Sequence, residues 1–267
     1  MQATSEGSCT AEQLRSAAAA PFPPTLVDVR RSAAFERDPV RIPMALRRPP
    51  EAVEQWAGDI EPWRKVVVYC VHGHEVSQTA AAALRARGLE AAYLDGGIEH
   101  WREHGGPVEP WSAPTRWVTR ERPKIDRIAC PWVVRRFVDA SAEMFYVPPK
   151  DVLAFANENA AVPFDVPDVE YSHDGERCSF DAFVDRHAPD NAGLRALADI
   201  VRAADTDTLG RSPQAAGLLA VSLGLGRGIG DDAALLRHGL LVYDALYAWC
   251  SAGRGERHGW DPAALRS

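Results

Sequence analysis

Over the first hundred residues, short β-branched runs alternate with longer stretches of mixed apolar and polar character. Leu26-Val27-Asp28-Val29, Val66-Val67-Val68-Tyr69 and Ala91-Ala92-Tyr93-Leu94 read as strands, and the stretch from Ser77 to Arg87, stopped by Gly88, reads as a helix. An alanine-rich helix opens earlier, at Thr10, whose spacing to Gln13 is that of a capping box, and the Pro21-Phe22-Pro23-Pro24 cluster ends it. Strands alternating with helices predict a parallel sheet. Ligands of such sheets bind beyond the carboxyl ends of the strands, and Cys70 is the first residue after Val66–Tyr69.

The pattern changes after the Gly/Pro-rich stretch between Gly105 and Pro114, which reads as a linker over residues 108–116. Beyond it the apolar positions fall at helical spacing. The expected helices are Pro131 to Asp139, Phe180 to His187, Ala192 to Ala204, Pro213 to Leu225 and Asp231 to Cys250, with short strands at Glu143 to Val147 and Val169 to His173. Ser212 followed by Pro213 supplies a cap and a first-turn proline. Leu235, Leu236, Leu240, Leu241, Leu246 and Tyr247 lie on one stripe of the last helix, a core face or the contact of a homodimer. The reading is therefore a parallel-sheet α/β domain over residues 10–107 and a mainly helical α+β domain over 117–252, with 253–267 as a tail.

A length of 267 residues agrees with two domains, and 46% apolar with 25% charged residues is ordinary for a folded protein. The net charge of -7 argues against a protein that coats nucleic acid or an anionic membrane, so partners are expected to be small molecules or proteins. Cys9, Cys70, Cys130, Cys178 and Cys250 are odd in number and form no CxxC pair, which predicts reduced thiols and a cytoplasmic protein. Neither an export leader nor a membrane-spanning run is recognisable.

The loop Cys70-Val71-His72-Gly73-His74-Glu75-Val76 starts with a thiol at a strand end and runs into a helix. That placement aims backbone N–H groups and the positive helix end at the sulfur and favours a thiolate. Gly73 permits the backbone turn that makes an anion-binding nest. Glu75, if it points inward, should raise the thiol pKa, while protonated His72 and His74 would lower it.

Five features in order carry a family resemblance: Leu26-Val27-Asp28-Val29-Arg30, Arg41-Ile42-Pro43-Met44-Ala45, Tyr69-Cys70, Leu94-Asp95-Gly96-Gly97 and Trp101. Together they resemble a single-domain rhodanese. The resemblance implies transfer of sulfane sulfur through a persulfide on Cys70, with Val71 to Val76 as the substrate-binding loop, no cofactor, and Asp28 and Arg30 as a buried structural charge pair. Glu75 and Val76 stand where rhodanese loops often carry Arg and Ser, which points to a donor less anionic than thiosulfate. Cysteine phosphatases and arsenate reductases need an arginine where this chain has Val76.

The second domain resembles the C-terminal domain of ChrB-type chromate-resistance proteins. The resemblance rests on Arg122-Pro123-Lys124-Ile125-Asp126-Arg127-Ile128-Ala129-Cys130-Pro131-Trp132, Pro163-Phe164-Asp165, His173 with Cys178-Ser179-Phe180-Asp181, Ala204-Asp205-Thr206-Asp207 and Tyr243-Asp244-Ala245-Leu246-Tyr247. Arg116 to Arg136 holds seven basic and two acidic residues. With Pro131 in a first turn, Cys130 falls at a helix start, and Arg122, Lys124, Arg127 and Cys130 become candidates to bind chromate or another oxyanion; the alternative is a solvated face of ion pairs. Cys130, His173, Cys178 and Asp205 are candidate ligands of Zn or Fe if the fold gathers them.

The leading expectation is a sulfurtransferase fused to a chromate-resistance domain, acting between a small sulfur donor and a thiol acceptor under chromate, oxyanion or oxidative stress. The rival is a non-catalytic chromate or metal sensor whose rhodanese domain docks or reports. A third reading pairs Cys70 with Cys130 for redox chemistry, which requires the two sulfurs to meet.

Overall fold

The computed structural model describes residues 7–255. In the first domain seven strands, β1 (Ser8–Cys9), β2 (Thr25–Asp28), β3 (Val40–Arg41), β4 (Leu46–Arg47), β5 (Val66–Tyr69), β6 (Ala91–Leu94) and β7 (Glu109–Pro110), are interleaved with five helices: α1 (Ala11–Ala18), α2 (Ser32–Arg37), α3 (Val53–Trp56), α4 (Glu75–Ala86) and α5 (Gly97–Glu103). Five strands form a sheet in the order β1-β6-β5-β2-β4, and every pairing in it is parallel. The three predicted strands are its centre.

β2 and β5 are buried along their whole length, because helices cover both faces, and this is why they read as unbroken apolar runs. Val66 and Val68 pack with Trp56, Ala80 and Leu84 on one face, whereas Val67 and Tyr69 pack with Leu14, Ile98 and Trp101 on the other. The capping box at Thr10 is present: its hydroxyl accepts from the Gln13 N–H at 3.2 Å, and its own N–H donates to the Gln13 side chain at 2.8 Å. The expected linker is partly ordered. β7 pairs antiparallel with β3, and Arg41 donates to Glu109 at 2.8 Å.

The second domain has three strands, β8 (Arg116–Arg120), β9 (Glu143–Val147) and β10 (Val162–Pro163), in a parallel sheet of order β10-β8-β9. Its helices are α6 (Asp126–Phe137), α7 (Val152–Asn159), α8 (Ser179–His187), α9 (Ala192–Asp205), α10 (Ala215–Gly228) and α11 (Asp232–Ala248). Trp132, Phe164, Phe180 and Phe183 fill its core, joined by Leu235, Leu236 and Leu240 of the predicted stripe, while Leu241 stays exposed.

Several expectations are corrected. α6 begins at Asp126, five residues before the expected Pro131, so the proline lies inside the helix. The helix tolerates it because the Arg127 carbonyl, which loses its usual N–H partner at Pro131, accepts from the Tyr146 hydroxyl at 3.3 Å. Val169 to His173 is not a strand; it makes only an isolated bridge, Phe164 with Tyr171. Ser212 and Pro213 precede α10 without capping it, since the helix opens at Ala215.

The domains meet at Asp244. Its carboxylate accepts from Trp132 at 2.8 Å and Arg136 at 2.9 Å within the second domain, and from Trp63 of the first at 3.0 Å. Arg136 also pairs with Glu61 at 3.0 Å, so one guanidinium bridges both domains. Among the described residues, no helix is long and apolar enough to cross a membrane.

Candidate functional site

Cys70 lies at the end of β5, 6% exposed, at the base of a loop that leads into α4. Four carbonyls of this loop are engaged: Cys70 accepts from the Ile98 N–H, Val71 from Glu99, Gly73 from the Gln78 side chain, and His74 from the Gln78 N–H and the Ser77 hydroxyl. Two of those donors are the first N–H groups of α5. By contrast, among the described residues no protein acceptor is found for the N–H groups of residues 71–76. With carbonyls drawn outward and N–H groups free, the loop is a nest for an anion beside the sulfur.

The close approach of two glycines makes this possible. Gly73 has φ +71 and Gly97 φ +61, and a Cβ on Gly97 would lie 2.5 Å from the Cys70 carbonyl oxygen and 2.6 Å from the Gly73 nitrogen. Only glycine fits where the loop packs on α5.

A cavity of about 250 Å³ opens on Cys70, with residues 70–72 and 74–76 on one side and Arg30, Arg31 and Ala34 on the other. Glu75 is exposed on its rim, as are His72 and His74, whose rings are 5.9 Å apart. The cations therefore come from the segment after β2, not from the loop itself. Arg30 is braced by Asp28 through contacts of 3.0 and 2.5 Å with both residues 1% exposed, the predicted buried pair. Ser77, which the sequence reading passed over, places its hydroxyl 3.2 Å from the sulfur. A hydroxyl seven residues past the thiol, one helical turn into α4, was the available signal.

A larger cavity of about 530 Å³ runs between the domains, lined by Thr25, Arg48, Arg64, Arg135, Arg136 and Met144 among others. No cysteine lines it, whereas Cys70 lines the smaller one. Burial pushes the Arg64 and Arg135 guanidiniums below their usual range there.

In the second domain the expected anion site does not form. Cys130 lies mid-helix with 0% exposure, sealed in the core, and so cannot face Cys70 or bind a solvent anion. Arg122 donates to the Gly226 and Gly230 carbonyls, Arg127 to that of Glu121 and to the Asp165 carboxylate, and Lys124 is solvent-exposed. Inward-facing carbonyls and carboxylates absorb most of this charge.

Of the four expected metal ligands, His173 and Asp205 come together and the two thiols do not join them. Cys178 is the N-cap of α8, accepting there while its N–H donates to Asp181 at 3.0 Å. Burial, and next the Asp126 carboxylate, push the Cys130 and Cys178 thiols far up. The group that forms is His173 with Asp126, Asp165 and Asp205: its Nε2 lies 3.3 Å from an oxygen of each. Burial and then Asp126 raise Asp205 to about 7, and the Asp126 hydrogen bond holds His173 at about 9. Asp126 and Asp165 sit inside segments already singled out by resemblance, but spacing alone did not mark them as partners.

A parallel five-stranded sheet with a thiol in an N–H nest at a central strand end defines a rhodanese-like domain, and the rhodanese-like domain family matches residues 10–104. The C-terminal domain of ChrB matches residues 117–250, half of the chain, and the chain belongs to that family, with the rhodanese-like domain ahead of it. Protein ChrB of Cupriavidus metallidurans is 32% identical over 186 residues, covering 66% of this chain and 55% of that protein. The chain thus spans about half the length of that relative. Thiosulfate sulfurtransferase GlpE of Pseudomonas syringae is 37% identical over 78 residues, 29% of this chain and 71% of the relative. A rhodanese-related protein of Thermoplasma volcanium of known structure is 28% identical, covers 38% of this chain and 96% of its own, and gives a TM-score of 0.34.

Proposed function

We propose that the chain is a sulfurtransferase in which Cys70 takes sulfane sulfur as a persulfide and passes it to a thiol, acting in the cytoplasm under the chromate or oxyanion stress that its ChrB domain suggests. The observation that carries this reading is the set of acceptor-free N–H groups of residues 71–76 around a thiol at a helix start. In the first half-reaction the Cys70 thiolate attacks the outer sulfur of the donor. The donor S–S bond breaks, its electron pair leaves with the donor's remaining fragment, and a new S–S bond forms on Cys70.

The N–H groups of the nest stabilise the negative charge of the terminal persulfide sulfur, and the Ser77 hydroxyl turns from the His74 carbonyl to donate to Cys70 Sγ when the sulfur regains charge. In the second half-reaction an acceptor thiolate attacks that terminal sulfur, the Cys70 S–S bond breaks, and the thiolate is restored. No cofactor enters the balance. Arg30 and Arg31 line the opposite wall and favour an anionic donor, which partly restores the positive charge that Glu75 and Val76 deny the loop.

Incubation of the purified chain with thiosulfate and, separately, with a small-molecule persulfide, followed by mass spectrometry, tests this. Expected is one added sulfur on Cys70, absent in Cys70→Ser and discharged by a thiol. A folded wild type that gains no sulfur from either donor overturns the enzyme and leaves the rival, a sensor whose first domain is a docking or redox-reporting module.

A further inference from the structure

Four side chains of the second domain converge on one point, and none of them takes part in the sulfur chemistry. Asp126 is the first residue of α6, Asp165 follows β10, His173 lies on the turn before α8, and Asp205 ends α9. The His173 Nε2 is 3.3 Å from Asp126, 3.3 Å from Asp165 and 3.3 Å from Asp205. One imidazole nitrogen carries one N–H at most and can direct it at one acceptor. Only one of the three contacts, that with Asp126, is therefore a hydrogen bond, and the other two acids are left without one from this nitrogen. One ligand atom each from Asp126, His173 and Asp205 lies within 4.8 Å of the other two, the grouping that sharing one ion at bond lengths of about 2.0–2.2 Å calls for.

The charge balance points the same way. Asp165 is compensated by Arg120 at 2.5 Å, Arg127 at 3.2 Å and the Ser179 hydroxyl at 2.9 Å. Asp126 is 2% exposed, and outside the cluster no donor among the described residues reaches its carboxylate. Its other neighbour is the Asp205 carboxyl, a second acid. Asp126 and Asp205 thus share a single imidazole, and coordination to a metal is one of the few ways a fold sustains two adjoining buried carboxylates.

We propose that Asp126, His173 and Asp205 form a divalent-metal site with two carboxylate oxygens and one imidazole nitrogen as donors, while Asp165 stays beside it on its own arginines. An oxygen-rich set with one nitrogen suits Mn²⁺ or Fe²⁺, with Zn²⁺ as a competitor, and not a thiolate-bound ion, because Cys130 and Cys178 point elsewhere. His173 is 42% exposed and Asp205 14%, so the ion is reached from solvent and keeps open positions for water on that side. Asp181, held by Arg202 and the Cys178 N–H, fixes the start of α8 behind it. The site does not depend on the reading of Cys70.

The test uses the full chain, stripped with a chelator and titrated with Mn²⁺ while the resonance of the free aquo ion is followed, with Zn²⁺ added afterwards. Expected is uptake of one Mn²⁺ per chain and its release by Zn²⁺. In Asp126→Asn and in His173→Gln, affinity should fall at least roughly 10-fold, the size of loss that even outer-shell changes cause. His173→Gln alters a half-exposed residue and keeps the test alive if Asp126→Asn fails to fold. In Cys178→Ser affinity should stay within about twofold. No stoichiometric uptake of either ion by the wild type, or equal uptake by wild type and both ligand variants, overturns the proposal.

Discussion

The Cys70 thiol of the first domain is surrounded by residues 70–77, one continuous loop and the first turn of α4, with α5 packed against it. In the second domain the four converging side chains come from α6, the segment after β10, a turn and the end of α9, up to 79 positions apart in the chain. The first site is a backbone device and the second a side-chain device. A backbone nest depends on local conformation and on the glycines that permit it, so changes there act through geometry. A side-chain cluster depends on the packing of distant elements, so changes there act through charge.

The largest expected effect tests the brace behind the nest. Asp28→Ala leaves the buried Arg30 without its carboxylate and should cost about 3–5 kcal/mol in urea unfolding. Replacing both residues by apolar ones of similar volume should recover much of that loss. Recovery in the double variant would mark the pair as a brace; failure would give the arginine a role in the cavity it lines.

Gly97→Ala comes next. Its Cβ would press on the Cys70 and Val71 carbonyls from a backbone at φ +61, and about 1–3 kcal/mol of stability should be lost. Persulfide formation should fall more than the stability change alone explains, because the carbonyls would be turned back toward the sulfur. Single-turnover labelling at a temperature where both proteins are folded reads this. Unchanged labelling would mean the nest is not what activates Cys70.

A third prediction concerns the join between the domains. Burial pushes the Asp244 carboxyl up, but the Arg136 hydrogen bond and charge, with the Trp132 and Trp63 N–H groups, pull it further down, and the net direction is downward. A carboxylate depressed in the folded state contributes stability that is full above its unfolded pKa of about 3.9 and is lost as pH falls through the lower folded value. Asp244→Asn should lower the urea midpoint at pH 7 by the equivalent of about 1–2 kcal/mol and flatten the acid loss of stability below about pH 4. Parallel curves for the two proteins would assign the acid dependence to other groups.

The smallest effect is Ser77→Ala, which removes one hydroxyl 3.2 Å from the sulfur. About 1 kcal/mol, roughly a fivefold slower sulfur transfer with unchanged stability, is expected from stopped-flow discharge of the persulfide.

The sequence by itself carried the parallel sheet, the capping box at Thr10 and Cys70 at the strand end. Each is a local pattern: a β-branched run, a three-residue spacing, a thiol between strand and helix. It also carried both family resemblances, through runs of adjacent residues, and the first of them implied the buried Asp28–Arg30 pair. What misled was also local. Pro131 reads as a first-turn residue, and its place inside α6 depends on a tyrosine hydroxyl from β9 that answers the bereft carbonyl. Only the tertiary structure decided that Cys130 is sealed in a core, that Asp126 and Asp165 join His173 and Asp205, and that Trp63 reaches Asp244 across the domain boundary. Spacing along a chain reports on neighbours within a turn or a pleat. Which distant acids share one buried point is set by how whole helices pack, and no local pattern records it.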